Sequence, residues 1–315
     1  MTDTATISPT KAWVMAARPQ TLPAAAAPVI VGTGLAVHDG VFAALPALAA
    51  LVGALLIQIG TNFANDYYDA IKGADTDERQ GFTRVTQSGL IAPEEVKRAM
   101  YLTFAIAIIS GTYLVSVGGL PIVVIGLASV ASGIAYTGGP YPLGYHGLGE
   151  VFVFIFFGIV AVTGTYYVQA VDAVAGIPMT IPSGTLPLAA LVASLAPAAL
   201  STAILVVNNV RDIETDAKTG KRTLAVRLGY RWSRVEYLLM LAVAYAVPAV
   251  FALDPAYSQF ALLPLLSLPI AVRVARTVLT RTDGAALNPA LEQTGQLLAI
   301  HSILFALGFA APAVL

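Results

Sequence analysis

The chain has no cysteine. That excludes a disulfide framework, a thiolate-ligated zinc and a cysteine nucleophile. Charge is nearly as scarce: Asp, Glu, Lys and Arg make up 11% of 315 residues, against roughly 25% in soluble domains. So few charges cannot coat a water-soluble fold of this size. Neither sign is in excess. Seventeen Lys and Arg against 18 Asp and Glu leave a net charge of −1, which gives no footing for nucleic-acid binding. The first ten residues are polar, with no basic stretch before an apolar run, and do not read as a signal peptide. Heptad repeats and low-complexity tracts are also missing.

What is there is apolar. Hydrophobic residues make up 57%, and the mean hydropathy is +0.77. A hydrocarbon core needs about 20 mainly apolar residues per crossing. Nine stretches qualify, roughly 20–37, 41–64, 100–117, 119–136, 149–171, 186–208, 235–253, 258–279 and 291–314. The expected fold is therefore all-α: a polytopic membrane protein with nine transmembrane helices and cytoplasmic capping loops. The chain reads as one integral membrane unit over 1–315. Tight links are expected at His38-Asp39-Gly40 and at Gly118-Gly119.

The basic residues give the orientation. With the N-terminus in the cytoplasm, all 17 Lys and Arg fall on one side, before span one or in the loops after spans two, six and eight. The opposite loops hold only Asp39, Asp172 and Asp254. This places the protein in the cell membrane, with the N-terminus and the mouth of the bundle cytoplasmic and the C-terminus external. Two cytoplasmic loops, about 70–98 and 210–234, are long and charged. They are expected to fold into short capping helices, one opening at Pro93-Glu94-Glu95 with acids near its positive end.

Two constellations carry chemistry. In the first, within 62–90, Asn62, Asn65, Asp66 and Asp69 sit at i, i+3, i+4 and i+7 on one helix face. Asp75 and Asp77 follow, and Gly73 suits a helix stop. In the second, within 208–234, Asn208, Asp212 and Asp216 share a face, and Gly220 again suits a stop before Lys221 and Arg222. The two segments look like versions of one device on spans two and six, at the same membrane face. Like charges at helical spacing repel unless a cation intervenes. Mg²⁺ is usually held by one or two carboxylates plus substrate phosphates. Two facing Asp clusters can thus each hold Mg²⁺ on one diphosphate, with Arg84, Lys221 and Arg222 neutralising the remaining charge. Asn62, Asn65 and Asn208 stand beside the carboxylates as candidate substrate-binding amides. A cation-coupled transporter is disfavoured, because the acids gather at one helix end and no acid lies mid-span.

These residues resemble a known family, the UbiA superfamily of intramembrane aromatic prenyltransferases. Its first motif, N-D-x-x-D, is similar to Asn65, Asp66 and Asp69, and its second, D-x-x-x-D, to Asp212 and Asp216. The resemblance runs from Arg18-Pro19-Gln20-Thr21-Leu22-Pro23 to the last span. It includes Gln58 to Asp77, Arg84 to Gly89, Tyr136 to Pro140, Gly147 to Glu150, Gly164 to Gln169, and Gly220 to Ala225. Those blocks point to the MenA branch, which prenylates 1,4-dihydroxy-2-naphthoate in menaquinone synthesis. The resemblance implies a nine-helix bundle, Mg²⁺ dependence, catalytic and metal-binding roles for Asp66, Asp69, Asp212 and Asp216, and a polyprenyl diphosphate donor. It implies that the prenyl group passes to the naphthoate with loss of CO₂ and diphosphate, giving demethylmenaquinol. A phenolic acceptor such as 4-hydroxybenzoate is the alternative within the family. Prenyl length and oligomeric state are not encoded in any of these features.

Other residues carry weaker expectations. Tyr136 ends span four and can hydrogen-bond the diphosphate or shield a carbocation with its ring. Glu150 opens span five, either in substrate binding or as a helix N-terminal cap. Arg84, inside a matched block, is expected to hold a phosphate or the acceptor carboxylate, and Arg79 lies in the same loop. His146 is expected to be merely exposed. His301 should bond between helices, Gln169, Tyr166 and Tyr167 should pack helices together, and Trp13 should anchor at the interface. Of Phe104, Phe152, Phe154, Phe156 and Phe157, most are expected to face lipid rather than line a prenyl tunnel.

Overall fold

The computed structural model describes residues 7–73, 81, 84–174 and 176–314. Asp75, Asp77 and Arg79 lie outside the described residues. Ten α-helices are found: α1 Pro9–Ala17, α2 Leu22–His38, α3 Ala44–Ile71, α4 Pro93–Ala135, α5 Gly149–Phe154, α6 Ala161–Ala170, α7 Leu188–Lys218, α8 Leu224–Leu253, α9 Leu268–Thr280 and α10 Gly284–Val314. A π-helical turn, Ile155–Val160, joins α5 to α6, and a 3-10 stretch, Gln259–Ser267, leads into α9. Eight helical stretches among the described residues are long and apolar enough to cross a membrane, counting α1 with α2, α5 with α6, and the 3-10 stretch with α9. The protein is an all-α polytopic membrane bundle.

At 1.5 Å per residue, the 43 residues of α4 would reach about 65 Å, twice a hydrocarbon core. They do not run straight. Gly119 adopts φ 64°, ψ −149°, a conformation open to glycine and strained for other residues. A Cβ on Gly119 would also strike the Pro178 carbonyl. The two arms fold back on each other: Phe104 of the first and Gly133 of the second both meet α3 at Gly60 and Thr61.

α7 is the central helix, buried almost continuously from Ala193 to Asp212. Lipid tails are as apolar as these side chains, so close van der Waals packing rather than water exclusion holds such helices together. Small residues make that packing possible. Gly158 in the π turn meets Ala198 of α7, where an added Cβ would stand 2.1 Å from the alanine Cβ. Gly34 of α2 meets Ala306 of α10 in the same way. His301 on α10 faces the Ala244 carbonyl of α8 at 3.1 Å, the expected interhelical bond. Gln169 bonds Thr165 and Thr33, Tyr166 donates to Asp39, and Tyr167 donates to the Gly118 carbonyl. All three serve packing, as expected.

Both motif helices outlast their apolar stretches. α3 continues to Ile71 and α7 to Lys218, and Gly73 (φ 65°) and Gly220 (φ 79°) supply the stops. One expectation is corrected, and one residue gains a contact. Pro93 with Glu94 and Glu95 opens not a separate capping helix but the first arm of α4. Trp13 packs its ring edge-on against Phe63, 5.9 Å between centroids, so it joins α1 to α3 rather than only sitting at an interface. The second cap does contain a short helix: residues 224–228 lead into a break at Gly229 (φ 70°) before α8 continues.

Candidate active site

A cavity of about 650 Å³ lies within the bundle. One end is polar, lined by Arg18, Asn62, Asn65, Asp69, Arg84, Tyr136, Tyr145, Asn208, Asn209, Arg211, Asp212, Asp216 and Lys221. The rest is mainly apolar, contributed by α2, α3, both arms of α4, α5 to α6, and α7, and α10 adds Leu291, Gly295 and the acidic Glu292. Helix α3 brings the first motif to the polar end and α7 brings the second. The helical spacing read from the sequence is realised in both.

Asp69 is the most heavily attended carboxylate. Arg84 Nη2 donates to Oδ2 at 2.9 Å, the Tyr145 hydroxyl donates to Oδ1, and Lys221 Nζ stands 3.6 Å from Oδ1. Asp66 is nearly fully buried behind it. Its Oδ2 accepts from the Thr86 hydroxyl at 2.9 Å and backbone N–H at 3.3 Å, and Arg18 Nη2 lies 3.5 Å from Oδ1. Asp66 Oδ1 makes no hydrogen bond among the described residues. On α7, Arg211 grips Asp212 bidentately, Nε to Oδ1 at 2.8 Å and Nη2 to Oδ2 at 2.6 Å. The same guanidinium donates to Asn208 and to Asn288 of α10. Asp216 lines the cavity one turn further on.

The amides divide. Asn62 donates to the Ala17 carbonyl and the Thr21 hydroxyl, both at 2.9 Å, and accepts from Gln58. It fastens the α1–α2 junction over the cavity while remaining in its wall. Asn65 accepts from Thr137 at 2.9 Å, tying the end of α3 to the end of α4. Asn209 donates to Glu150 at 2.7 Å. Glu150 is therefore buried beneath the wall and touches α7, rather than capping a helix at the surface. Tyr136 lines the cavity with its hydroxyl beside Gly149.

The basic residues also divide. Lys221 lines the cavity, but the Arg222 side chain is exposed and outside the lining. Arg222 acts through its backbone, donating its N–H to the Tyr145 carbonyl at 2.8 Å. Lys72, just past the end of α3, donates to the Thr137 carbonyl at 2.6 Å. Burial lowers its pKa, the Asp69 charge opposes that, and Lys221 adds to it. His146 stacks on Tyr141 and lies outside the cavity.

Sequence reasoning gave no role here to Arg18, Thr86, Tyr145, Asn209 or Arg211. A basic residue between Asn209 and Asp212 on a membrane helix was a legible signal for Arg211, since an intramembrane charge demands a partner. Glu236 was given no role either. It is an interior residue of α8, close enough to Glu150 for the two charges to interact. The phenylalanines need correction too. Phe152, Phe156 and Phe157 line the cavity, Phe104 is buried against Gly60, and Phe154 packs on the α7–α8 core. Phe152 and Phe156, one helical turn apart, stack on each other in that wall.

The donor set suits a hard cation. It is all oxygen and includes a buried carboxylate oxygen without a hydrogen bond; the protein alone forms no cage, since no group of three or more Asp, Glu or His converges among the described residues. Mg²⁺ does not require such a cage, because substrate phosphates complete its shell.

Residues 25–310 match the UbiA prenyltransferase family. The chain is 40% identical over 308 residues to the 1,4-dihydroxy-2-naphthoate octaprenyltransferase of Escherichia coli K12, covering 96% of each chain. It is 41% identical over 287 residues to the enzyme of the same description from Mycobacterium tuberculosis, covering 90% of this chain and 91% of that one. Among solved structures, a UbiA homolog from Archaeoglobus fulgidus bound to DMAPP and Mg²⁺ superposes with a TM-score of 0.59 at 15% identity, over 93% of this chain and 98% of the other. That likeness is one of fold.

Proposed function

The chain belongs to the UbiA prenyltransferase family, and from that premise and the cavity we propose how it works. It is a membrane prenyltransferase that transfers a polyprenyl group from polyprenyl diphosphate to 1,4-dihydroxy-2-naphthoate, in menaquinone synthesis. The two relatives described above, alike over nearly their whole length, support that acceptor. The observation that carries the mechanism is one cavity lined by Asp69 of the first motif, by Asp212 and Asp216 of the second and by Arg84 and Lys221, with Asp66 buried behind the wall and a long apolar extension.

In our reading the diphosphate sits at the polar end. Asp66 and Asp69 from α3 and Asp212 and Asp216 from α7 would hold Mg²⁺ there, and the ion would supply charge that stabilises the departing diphosphate. Arg84 and Lys221 add fixed positive charge where the leaving-group charge develops. Tyr145 holds Asp69 in place, and Arg211 holds Asp212. The allylic C–O bond breaks and its electron pair leaves with the diphosphate. The naphthoate carbon bearing the carboxylate forms the new bond. Loss of CO₂ returns its electron pair to the ring and restores aromaticity. Tyr136, in the wall, turns its ring toward the cation-like carbon.

We count nine crossings, taking the two arms of α4 as two. All basic residues then lie on the cytoplasmic face with the N-terminus, and the C-terminus lies outside. The chain forms a single membrane unit, with the two motif loops as its cytoplasmic cap.

The test is turnover by the purified protein with a polyprenyl diphosphate and either dihydroxynaphthoate or 4-hydroxybenzoate, with and without Mg²⁺. CO₂ release with dihydroxynaphthoate that requires Mg²⁺ is expected. Turnover with 4-hydroxybenzoate alone would move the chain to the alternative acceptor.

A further inference from the structure

Along the apolar arm of the cavity, α3 and the two arms of α4 pack differently at two levels. At the first, Gly60 of α3, Phe104 of the first arm of α4 and Gly133 of the second arm meet. A Cβ on Gly60 would stand 2.9 Å from the Phe104 ring, and one on Gly133 would stand 2.5 Å from Thr61 Oγ1. Here the three helices are in contact behind the cavity wall, with no room between them. Seven residues outward along each of the three helices stand Gly53, Gly111 and Gly126. Seven residues are two helical turns, so the same faces meet again, about 10 Å further from the polar end. Here no atom lies within 4 Å of where a Cβ would be on any of the three. All three line the cavity.

These glycines are otherwise unexplained. Each has ordinary helical φ, none is needed for a close helix contact, and glycine weakens a helix interior. A fourth lining glycine, Gly164 of α6, is equally open. The cavity continues past this level to Leu114, Val115 and Ile122 beside the turn at Gly118-Gly119. Gly53 lies sixteen residues before Asp69, about 24 Å along the helix. A short prenyl chain anchored by its diphosphate ends before that depth, and a long one passes it.

We infer that the open level at Gly53, Gly111 and Gly126 selects prenyl donors by length, by leaving room for the distal isoprene units of a long chain. This rests on the reading that the cavity takes the donor's prenyl tail. Side chains placed at that level would block long donors and leave short ones untouched.

The experiment measures binding of geranyl and octaprenyl thiolodiphosphates, with Mg²⁺, to the full-length protein in nanodiscs. No acceptor is present, so a wrong acceptor assignment would show in turnover and not here. Gly111→Leu and Gly126→Leu are each expected to weaken octaprenyl binding at least ten-fold and to leave geranyl binding within two-fold. Gly111→Ala adds one carbon to open space and should stay within two-fold for both. Bound geranyl analogue also reports that each variant is folded. Equal weakening of both analogues, or an unchanged octaprenyl affinity in the leucine variants, would overturn the inference. The second result would mean that the chain leaves the cavity before it reaches this level.

Discussion

Asp69 and Asp212 meet their positive charges in different ways. Asp69 faces cations carried by loops, Arg84 and Lys221, which a diphosphate can recruit. Asp212 is gripped by a neighbour on its own helix, in a pair almost fully out of solvent. Removing one member of a buried pair strands the other, at a cost of about 3–5 kcal/mol. Arg211→Met should therefore lower the thermal midpoint markedly. Arg211→Lys should recover little, because an ammonium cannot reproduce the fork that also reaches Asn208 and Asn288. The two basic residues after Gly220 should separate. Losing a charge-assisted contact costs on the order of 1.5–3 kcal/mol, so Lys221→Met should raise the donor KM or lower kcat by roughly ten-fold or more. Arg222→Met should stay within two-fold, since only its backbone is engaged. Steady-state kinetics with the donor varied separates them. Equal losses would return Arg222 to the site.

The elements meet where glycine lets them. Gly158 is the clearest case, because its α-carbon lies against Ala198. Overpacking such a contact costs typically about 1–3 kcal/mol. Gly158→Leu should lower the thermal midpoint and, by pushing α5 from α7, disturb the Glu150–Asn209 bond. Gly295→Ala is the matched control: its nearest neighbour would be the Gln20 carbonyl at 3.9 Å, and it should be neutral or slightly stabilising. Much of this scale was legible. Apolar runs located the helices, and Gly73 and Gly220 marked two of their ends. Hydropathy alone would have ended both helices short of Ile71 and Lys218, because charged residues close a hydropathy window without breaking a helix; the two glycines carried that signal instead. Pro93 was misjudged for the same reason, since a polar first turn looks like a separate cap. The Asp faces followed from 3.6-residue periodicity. The partners Thr86 and Tyr145 did not, because contacts between residues 20 and 76 positions apart in sequence leave no periodic trace. That Phe152 and Phe156 face the cavity and not lipid was not legible, because an aromatic face at helical spacing looks the same whichever way the helix is turned.

At the scale of the whole molecule, α3 and α7 carry one motif each and deliver them to the same end of one cavity. That requires both helices to end on the same side of the bilayer. Reporters fused after Gly81 and Gly220 should read cytoplasmic, and one after Ala173 should read external. A cytoplasmic signal at Ala173 would divide the motifs between the two faces. The central claim is that the two motifs act on a single diphosphate, and a double-mutant cycle on turnover tests it most directly. Asp69→Asn and Asp216→Asn each keep the side chain's shape and remove one charge, and neither breaks the buried Arg211–Asp212 pair. Loss of one such electrostatic contact costs on the order of 10²–10³ in kcat. Each single variant should fall at least that far in Mg²⁺-supported turnover of dihydroxynaphthoate. The double variant should fall by less than the product, because groups that act as a unit are not additive. Near-normal turnover in either single variant, with normal membrane insertion, would contradict the account, and so would a double variant whose loss equals the full product.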